Sequence, residues 1–238
     1  MTTYMARVNP KYFAAINLFA AQKDVRYYLN GVAIQPHPDG EGVFIIATNG
    51  HVMDILHDPE GWCSQNLIIG DIPKGLITAC TAKPKKAYSG LVYKPEHLWI
   101  GKDFAQVSSD ETKIEPTSPF GPDTLYAGKI MIVDGKFPDW RKVIPKQADA
   151  AMGMPAVNPK YLTLLDSAQK ILTNDKWQAT RLYPTGEGCS VACRLSGPDI
   201  DERFLAIIMP MRACEYADML PTQFRNVRQD REPLRATA

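Results

Sequence analysis

The stretch VNPKYFAAINLFA, residues 8–20, predicts a helix that begins at Pro10. Asn9 suits the N-cap because its side-chain oxygen can accept a hydrogen bond from a free backbone N–H. A proline at the first helical position loses no helical bond, since that N–H has no partner inside the helix. The same five residues, VNPKY, stand at 157–161, so this helix start occurs at least twice.

A third, weaker copy lies between the two, in LIIGDIPKGLITACTA at residues 67–82, where Pro73 and Lys74 follow Asp71. Apolar residues at helical spacing follow each of the three starts. They are Phe13, Ile16, Phe19 and Ala20 in the first copy, Leu76, Ile77 and Cys80 in the middle one, and Leu162, Leu165, Ala168 and Ile171 or Leu172 in the last.

Short β-prone segments divided by turn residues surround each predicted helix. One segment precedes each helix, namely TTYMARV (2–8), NLIIG (66–70) and GMPAV (153–157). Three follow each helix, at 25–37, 42–50 and 51–57, then at 87–95, 97–109 and 128–137, and finally at 177–186, 188–197 and 203–212. The recurring unit is therefore a strand, a helix and three strands.

This β-α-β-β-β unit predicts an α+β fold with antiparallel sheets, because helices must cover the apolar side of a sheet. Residues 1–147 would hold two units that complete one domain by pseudo-symmetric packing. Residues 151–213 would hold the third unit, and residues 214–238 would form a C-terminal tail outside the repeat.

Composition narrows the class of protein. The 238 residues are 45% hydrophobic and 22% charged with a formal net charge of +1, which is typical of a globular protein without a global electrostatic field. The five cysteines contain no CxxC pair, which favours a reducing, cytoplasmic setting over a disulfide framework or a zinc ribbon. No apolar run is long enough for a signal peptide or a membrane span.

Four segments resemble the bacterial DNA sliding clamp family, the beta subunit of the replicative DNA polymerase. They are DVRYYLNGVAI (24–34), IIATNGHVM (45–53), DGKFPDWRKVIP (134–145) and AIIMPMR (206–212). The first two units resemble the middle domain of the family and the third resembles the closing half of its last domain. The resemblance therefore implies the DNA clamp fold in a shortened, phage- or plasmid-like relative.

The resemblance also implies function and partners. Clamps are rings of twelve such units that enclose double-stranded DNA and tether DNA polymerase and other proteins by short peptides, without catalytic residues, metal or cofactor. Three units in each chain would need four chains for a ring. The odd unit could pair with its counterpart across a two-fold axis, so we expect self-association through residues 151–213.

Two sets of site residues follow from the resemblance. The hydrophobic cleft for partner peptides would comprise Leu29, Thr48, Gly50, His51, Val52, Met53, Pro138, Val143, Ile207, Ile208, Met209, Pro210, Met211 and Arg212. At Val52 the family usually has an arginine. The DNA contacts would come from Lys23, Arg26, Tyr27, Tyr28, Lys74, Lys83, Lys85, Lys86, Lys160 and Lys170.

Other interpretations remain open at this stage. The apolar cleft residues could simply fill a domain boundary, and each lysine could be a solvated surface charge. A clamp-like regulator that forms no ring and binds replication proteins would fit the missing domain and a half. A metal site at His51, Asp54 and His57 is disfavoured because alternation along a strand turns Asp54 to the opposite face.

The tail contains DMLPTQF, residues 218–224, which carries the leucine and phenylalanine anchors of a clamp-binding peptide in loose form. We hypothesise that it occupies the cleft of its own or a neighbouring chain.

Overall fold

A computed structural model describes residues 4–86, 92–149, 153–173, 179–186 and 188–212. Its three α-helices are α1 (Pro10–Asn17), α2 (Lys74–Cys80) and α3 (Pro159–Thr173). The two predicted N-caps are confirmed: the side chain of Asn9 accepts hydrogen bonds from the backbone of Lys11 and Tyr12, and that of Asn158 accepts one from Lys160 at 3.0 Å. Two 3-10 turns occupy Tyr27–Leu29 and Trp140–Val143.

Fifteen strands make up the rest of the regular structure. In chain order they are β1 (Tyr4–Val8), β2 (Val32–Pro36), β3 (Val43–Thr48), β4 (Val52–Asp58), β5 (Trp62–Cys63), β6 (Leu67–Gly70), β7 (Lys85–Lys86), β8 (Val92–Tyr93), β9 (His97–Gly101), β10 (Phe104–Ser108), β11 (Thr124–Lys129), β12 (Met131–Ile132), β13 (Thr180–Pro184), β14 (Val191–Leu195) and β15 (Phe204–Ile208). They form a five-stranded sheet in the order β11-β10-β9-β1-β5, an eight-stranded sheet in the order β12-β6-β2-β3-β4-β15-β14-β13, and the hairpin β7-β8.

The first two units exchange their first strands. Strand β1 pairs antiparallel with β9 of the second unit, and β6 pairs antiparallel with β2 of the first. A short strand then closes the other edge of each exchanged strand, β5 on β1 and β12 on β6. The α+β fold of repeated β-α-β-β-β units is thereby confirmed, with each sheet built from both units.

The third unit lacks its first strand in the described residues. The prediction that GMPAV at 153–157 forms a strand is wrong, because residues 153–158 have no strand assignment. Within the described chain, the C=O of Ala156 accepts a backbone hydrogen bond from the N–H of Met211, which follows β15, at 2.8 Å. A first strand in this fold needs the sheet of a partner unit, and the third unit has no such partner within the described chain.

The third unit instead joins the first through its last strand. Strand β15 pairs antiparallel with β4 from Phe204 opposite Leu56 to Ile208 opposite Val52, so one sheet continues across the junction. The main core lies between this sheet, the five-stranded sheet and the helices, and a second apolar cluster covers the outer face of the eight-stranded sheet.

Two further expectations were wrong in detail. The stretch 97–109 forms two strands, β9 and β10, since the chain reverses after Gly101, where a Cβ would lie only 2.2 Å from the ring of Phe104. The third strand of the second unit is accordingly β11. In α3 the buried positions are Tyr161, Leu165, Ala168 and Gln169, and Leu162 is 36% exposed rather than part of the buried stripe.

Candidate functional site

Three helices lie next to one another on one side of the sheets, with α1 packed against both α2 and α3. A groove of about 740 Å³ opens where the start of α1 meets the ends of the other two helices. Four exposed lysines contribute to its lining: Lys11, Lys83, Lys94 and Lys170. Exposed amines suit the phosphates of a nucleic-acid backbone, which protein cations neutralise without reading the bases.

The groove brings together two predicted DNA contacts, Lys83 and Lys170, and adds Lys11 and Lys94. Two of the four already have carboxylate partners, since Lys170 lies 2.6 Å from Asp166 and Lys94 lies 2.6 Å from Glu96. Sequence reasoning missed Lys11, although the Pro-Lys pair at 10–11, 73–74 and 159–160 pointed to it.

The other predicted lysines stand outside the lining of this groove. Lys74 and Lys160 are exposed in the first turns of α2 and α3, and Lys85 and Lys86 are exposed in strand β7. Their placement at the helix ends and in the neighbouring hairpin leaves their predicted role in DNA contact a prediction.

The predicted aromatic loop sits against the turn before β4. The guanidinium of Arg26 donates to both carboxylate oxygens of Asp24, and these hydrogen bonds lower the pKa of Asp24 to about 2. Gly50 has a φ of +89°, which disfavours a larger residue, and a Cβ there would lie 2.9 Å from the guanidinium, so this turn and the loop are in contact.

Tyr27 and Tyr28 are held differently within this loop. The ring of Tyr27 is 57% exposed while its hydroxyl donates to the C=O of Asp134 at 3.2 Å. Tyr28 packs edge-on to Tyr27 with ring centres 5.7 Å apart and also contacts the outer apolar cluster. Lys23 precedes them with a φ of +58°. Tyr27 is thus the exposed ring of the two, and its role in DNA contact stays a prediction.

Hydrogen bonds tie two of the predicted cleft segments together at the β4–β15 junction. The side chain of Asn49 accepts from the backbone of His51 and Val52, and the hydroxyl of Thr48 donates to the C=O of Val52. The C=O of His51 accepts from the N–H of Met209 at 2.8 Å. The turn before β4 and the chain after β15 are therefore one surface.

Strand alternation divides the predicted cleft residues between two faces. Met53 and Ile207 are opposite each other and belong to the outer cluster, whereas Val52 and Ile208 are opposite each other in the helix-side core. Leu29 is 2% exposed. These buried residues support the junction from beneath.

The exposed members are the ones that a partner could touch directly. Among the described residues they are Gly50, His51, Pro138, Val143, Met209, Met211 and Arg212, with Pro210 half-buried. The segment 218–224 of the tail lies outside the described residues.

The linker segment 134–145 is fixed across the outer face by Trp140. Its indole N–H donates to the side-chain oxygen of Gln35 at 3.0 Å, its ring meets Phe44 edge-on at 5.2 Å, and the guanidinium of Arg141 lies 4.2 Å from the ring centre. Pro138 lines a groove of about 320 Å³ beside it. A tethered linker keeps Val143 at the surface, 39% exposed.

His51, Asp54 and His57 do not converge. His51 is exposed, His57 packs on the outer face with its ring 5.5 Å from Phe44, and Asp54 is fully buried on the helix side. Over the ranges that the structure covers, no group of three or more histidine, cysteine, aspartate or glutamate residues is placed to hold a metal ion.

Asp54 is the unusual polar group of the junction. It lies opposite Ala47 of β3 and Ala206 of β15, and neither carboxylate oxygen has a hydrogen-bond partner among the described residues. Burial raises its pKa well above the usual range, and burial, with the charge of Asp54 as a second cause, raises the pKa of the Cys193 thiol to about 12. Sequence reasoning considered Asp54 only as a metal ligand.

Within the described part of the chain, no helix combines the length and the apolar character needed to cross a membrane.

The curated relatives reported below are both beta sliding clamps. The chain is 29% identical over 163 residues to the beta sliding clamp of Escherichia coli strain K12, a match that covers 68% of this chain and 38% of that protein. It is 25% identical over 187 residues to the beta sliding clamp of Vibrio cholerae, covering 76% of this chain and 42% of that protein. The chain thus spans about two fifths of the length of these curated relatives. No protein-family model matches it.

Solved structures show the same fold. The DnaN sliding clamp of Bartonella birtlesii bound to griselimycin matches with a TM-score of 0.56 and 15% identity, over 90% of this chain and 68% of that one. The DNA polymerase III beta subunit of Thermotoga maritima matches with a TM-score of 0.54 and 14% identity, over 90% and 67%. At this identity the likeness concerns the fold alone.

Proposed function

We propose that this chain, a partial-length member of the bacterial sliding clamp family, is a cytoplasmic DNA polymerase processivity factor that encircles duplex DNA. The observation that carries the proposal is the division of the molecule into two sides. Helices and a lysine-lined groove occupy one side, while a sheet of eight strands continues unbroken across the junction behind them. A sheet covered in this way can surround a DNA duplex, with the helices and their lysines facing the DNA.

The inner side suits contacts that do not read sequence. Lysine amines at the ends of three helices can meet phosphates of any sequence, and weak contacts of this kind allow sliding. Lys11, Lys83 and Lys170 would act first, with Lys74, Lys85, Lys86 and Lys160 further along the same side. Tyr27 and Arg26 would meet the duplex near the turn before β4.

The outer side suits partner peptides. Val143, Met209 and Met211 are exposed apolar residues on segments that the junction holds in place, and methionine adapts to differently shaped anchors. We propose that peptides of DNA polymerase and of other replication proteins bind here, supported from below by Met53 and Ile207.

Enclosure of DNA requires several copies, since three units cannot close a ring. We propose a ring of four chains of 26.5 kDa each, in which residues 151–213 supply one kind of contact between chains. The protein has no catalytic role in this scheme, because a closed ring holds its partners on DNA mechanically.

Topological retention tests the proposal. The assembled protein is bound to nicked circular DNA, washed in high salt, and the DNA is then cut once. We expect retention on the circle and release after cutting, together with longer products from a partner polymerase. A compact dimer without a hole, or equal loss from circular and linear DNA, would contradict the ring and favour a clamp-like regulator that does not encircle DNA.

Charge reversal tests the basic face. The double variant Lys83→Glu, Lys170→Glu should weaken DNA binding. The slope of log K against log salt concentration should become shallower by about 0.9 for each phosphate contact that is lost. The matched control is Lys142→Glu, an exposed lysine in the turn Trp140–Val143 on the outer face, which should leave DNA binding unchanged. Equal effects of both changes would remove the support for an inner basic surface.

A further inference from the structure

The third unit presents two open backbone edges. Over the residues that the structure describes, β13 pairs with β14 alone. Among the described residues, residues 153–157 make one backbone hydrogen bond to the chain that follows β15, from the N–H of Met211 to the C=O of Ala156. A sheet edge carries unpaired N–H and C=O groups and is a template for another strand.

The first two units show what such edges pair with. Strand β1 lies between two neighbours, with Arg7 opposite Trp62 of β5 on one edge and opposite Trp99 of β9 on the other. Strand β6 lies in the same way between β12 and β2. In both, the outer neighbour follows the last strand of the same unit. The inner neighbour is the first strand that the other unit adds to this sheet after its helix, with only the separate hairpin β7-β8 standing before β9.

The third unit has the outer contact of this arrangement and lacks the inner one. The shared VNPKY aligns Ala156 with Arg7, and Met211, which follows β15, stands where Trp62 follows β4. Residues 153–157 are thus already placed as a first strand beside their own closing segment. The inner edge of residues 153–157 lacks a pairing strand, and the repeat assigns that position to a β13 strand.

Its own β13 cannot fill this place. Ala156 lies beside Met211, just past β15, while β13 is separated from β15 by β14. Strand β13 is therefore not a neighbour of residues 153–157, and the other edge of β15 is already occupied by β4. The pairing strand must come from another molecule.

We propose that a second copy of this chain completes the third unit: residues 153–157 of each copy pair antiparallel with β13 of the other across a two-fold axis. Each copy gives and receives one strand, so the contact is self-complementary. Because Ala156 faces Met211, strand alternation turns the backbone of Pro155 and Val157 toward the partner. Proline lacks one donor there, and the C=O of Pro155 with the N–H and C=O of Val157 remain.

One end of the β13 edge is already used. The N–H of Asp149 donates to the C=O of Pro184 at 2.8 Å. The pairing therefore involves Thr180–Tyr183, a length close to the three pairs that join β6 to β2.

Among the described elements, helix α3 also lacks the second helical neighbour that α1 has. Leu162 occupies the repeat position of Phe13, yet Phe13 is fully buried and Leu162 is 36% exposed. The difference arises because α1 packs against a helix on each side, whereas α3 packs against α1. Within the exchanged pair, the two α3 helices would meet as α1 meets α2 and cover Leu162. Met154, 50% exposed, would be covered as well.

Light scattering and variants test the interface in the full chain. Leu162→Asp and Val157→Pro should each weaken self-association by about 30-fold or more, as for the loss of a central interface residue. The control is Ile114→Asp, an exposed apolar residue in the loop before β11, which should associate normally. Circular dichroism must show that all three variants remain folded. Unchanged association of folded Leu162→Asp and Val157→Pro would overturn the proposal.

A cross-link decides the pairing itself. Ala156→Cys and Arg181→Cys are made in separate chains that also carry Cys189→Ser and Cys214→Ser, and the two are mixed under mild oxidation. Disulfide-linked heterodimers are expected from the mixture, and their absence in an oligomer would refute strand exchange. The inference rests on the open edges and not on the ring. A cross-linked dimer that is not retained on circular DNA would support strand exchange and refute the enclosure of DNA. A ring that is retained on circular DNA but does not form the cross-link would refute strand exchange and support enclosure.

Discussion

The first and third units begin with the same five residues and end in different structures. In the first, the segment before the helix is a central strand held on both edges, and the helix behind it is buried on both flanks. In the third, the corresponding segment makes one backbone bond within the described chain, to Met211 after β15, and the helix exposes Leu162. The difference shows that the local sequence specifies the helix, whereas the strand depends on a partner sheet.

The largest expected effect compares the two helices at one repeat position. Phe13→Ala should lower the free energy of unfolding by about 3–5 kcal/mol, because it empties a fully buried site. Leu162→Ala should cost about 0.5 kcal/mol or less in solution dilute enough to keep the chain monomeric. Urea unfolding followed by circular dichroism measures both.

Protein concentration sharpens this comparison. The cost of Leu162→Ala should grow with concentration as the third unit becomes paired, and the cost of Phe13→Ala should not. Equal, concentration-independent costs at the two positions would mean that Leu162 is buried within the single chain.

A second effect compares two buried carboxylates on β4, one inside the first unit and one at its junction with the third. Asp58 accepts from the N–H of Asn9 at 2.7 Å and from the N–H of Glu60 at 3.2 Å, one bond to each oxygen. Asp58→Asn should therefore destabilise the fold by about 1–3 kcal/mol, since an amide offers one oxygen in place of two.

Asp54→Asn should act in the opposite direction, because Asp54 has no such donors in the described chain. Burial raises the pKa of Asp54, so the folded state keeps this proton to a higher pH than the unfolded state does. Stability is therefore lost as pH rises from the ordinary aspartate range toward the raised pKa. In thermal unfolding, the Asp54→Asn variant should have the same midpoint temperature as the parent at pH 4 and a higher one at pH 8. A parent whose stability rises over that interval, with Asp54→Asn following it, would contradict the unpaired burial.

The smallest effect compares two lysines at one repeat position. Lys11 lines the groove with Lys83 and Lys170, whereas Lys160 stands at the start of α3, outside its lining. Lys11→Glu should weaken DNA binding several-fold and reduce its salt dependence by about one phosphate contact. When the protein is dilute, Lys160→Glu should have a smaller effect on both the affinity for DNA and its salt dependence. Fluorescence anisotropy at two salt concentrations measures both, and a larger effect at Lys160 would reverse the proposed order of contacts.

Patterns along the chain carried the prediction of the helices, most of the strands and the α+β class. N-caps at Asn9 and Asn158 and turn residues between apolar runs are local signals that need no distant partner. The turn between β9 and β10 was missed, since alternation continues through residues 97–109 and only the packing of Phe104 on Gly101 shows the reversal. The exposure of Leu162 was missed because spacing cannot show that a neighbouring helix is absent.

For the candidate sites, the sequence identified the segments that contribute residues. It did not show on which face of the sheet each residue lies. Register alone decides that Met53 and Ile207 lie outward while Val52 and Ile208 lie inward, and a shift of one residue would reverse them. The groove likewise depends on α1 meeting the ends of α2 and α3. Lys11 and Lys94 became site residues only through that meeting.

The sequence by itself determined that one unit occurs three times, because capping, proline placement and apolar spacing act within a few residues. Only the tertiary structure decided which copies complete each other. Strands satisfy their backbone groups by pairing with distant segments, so β1 and β6 exist through exchange. GMPAV forms no strand in the described chain, and we propose that a second copy supplies its partner.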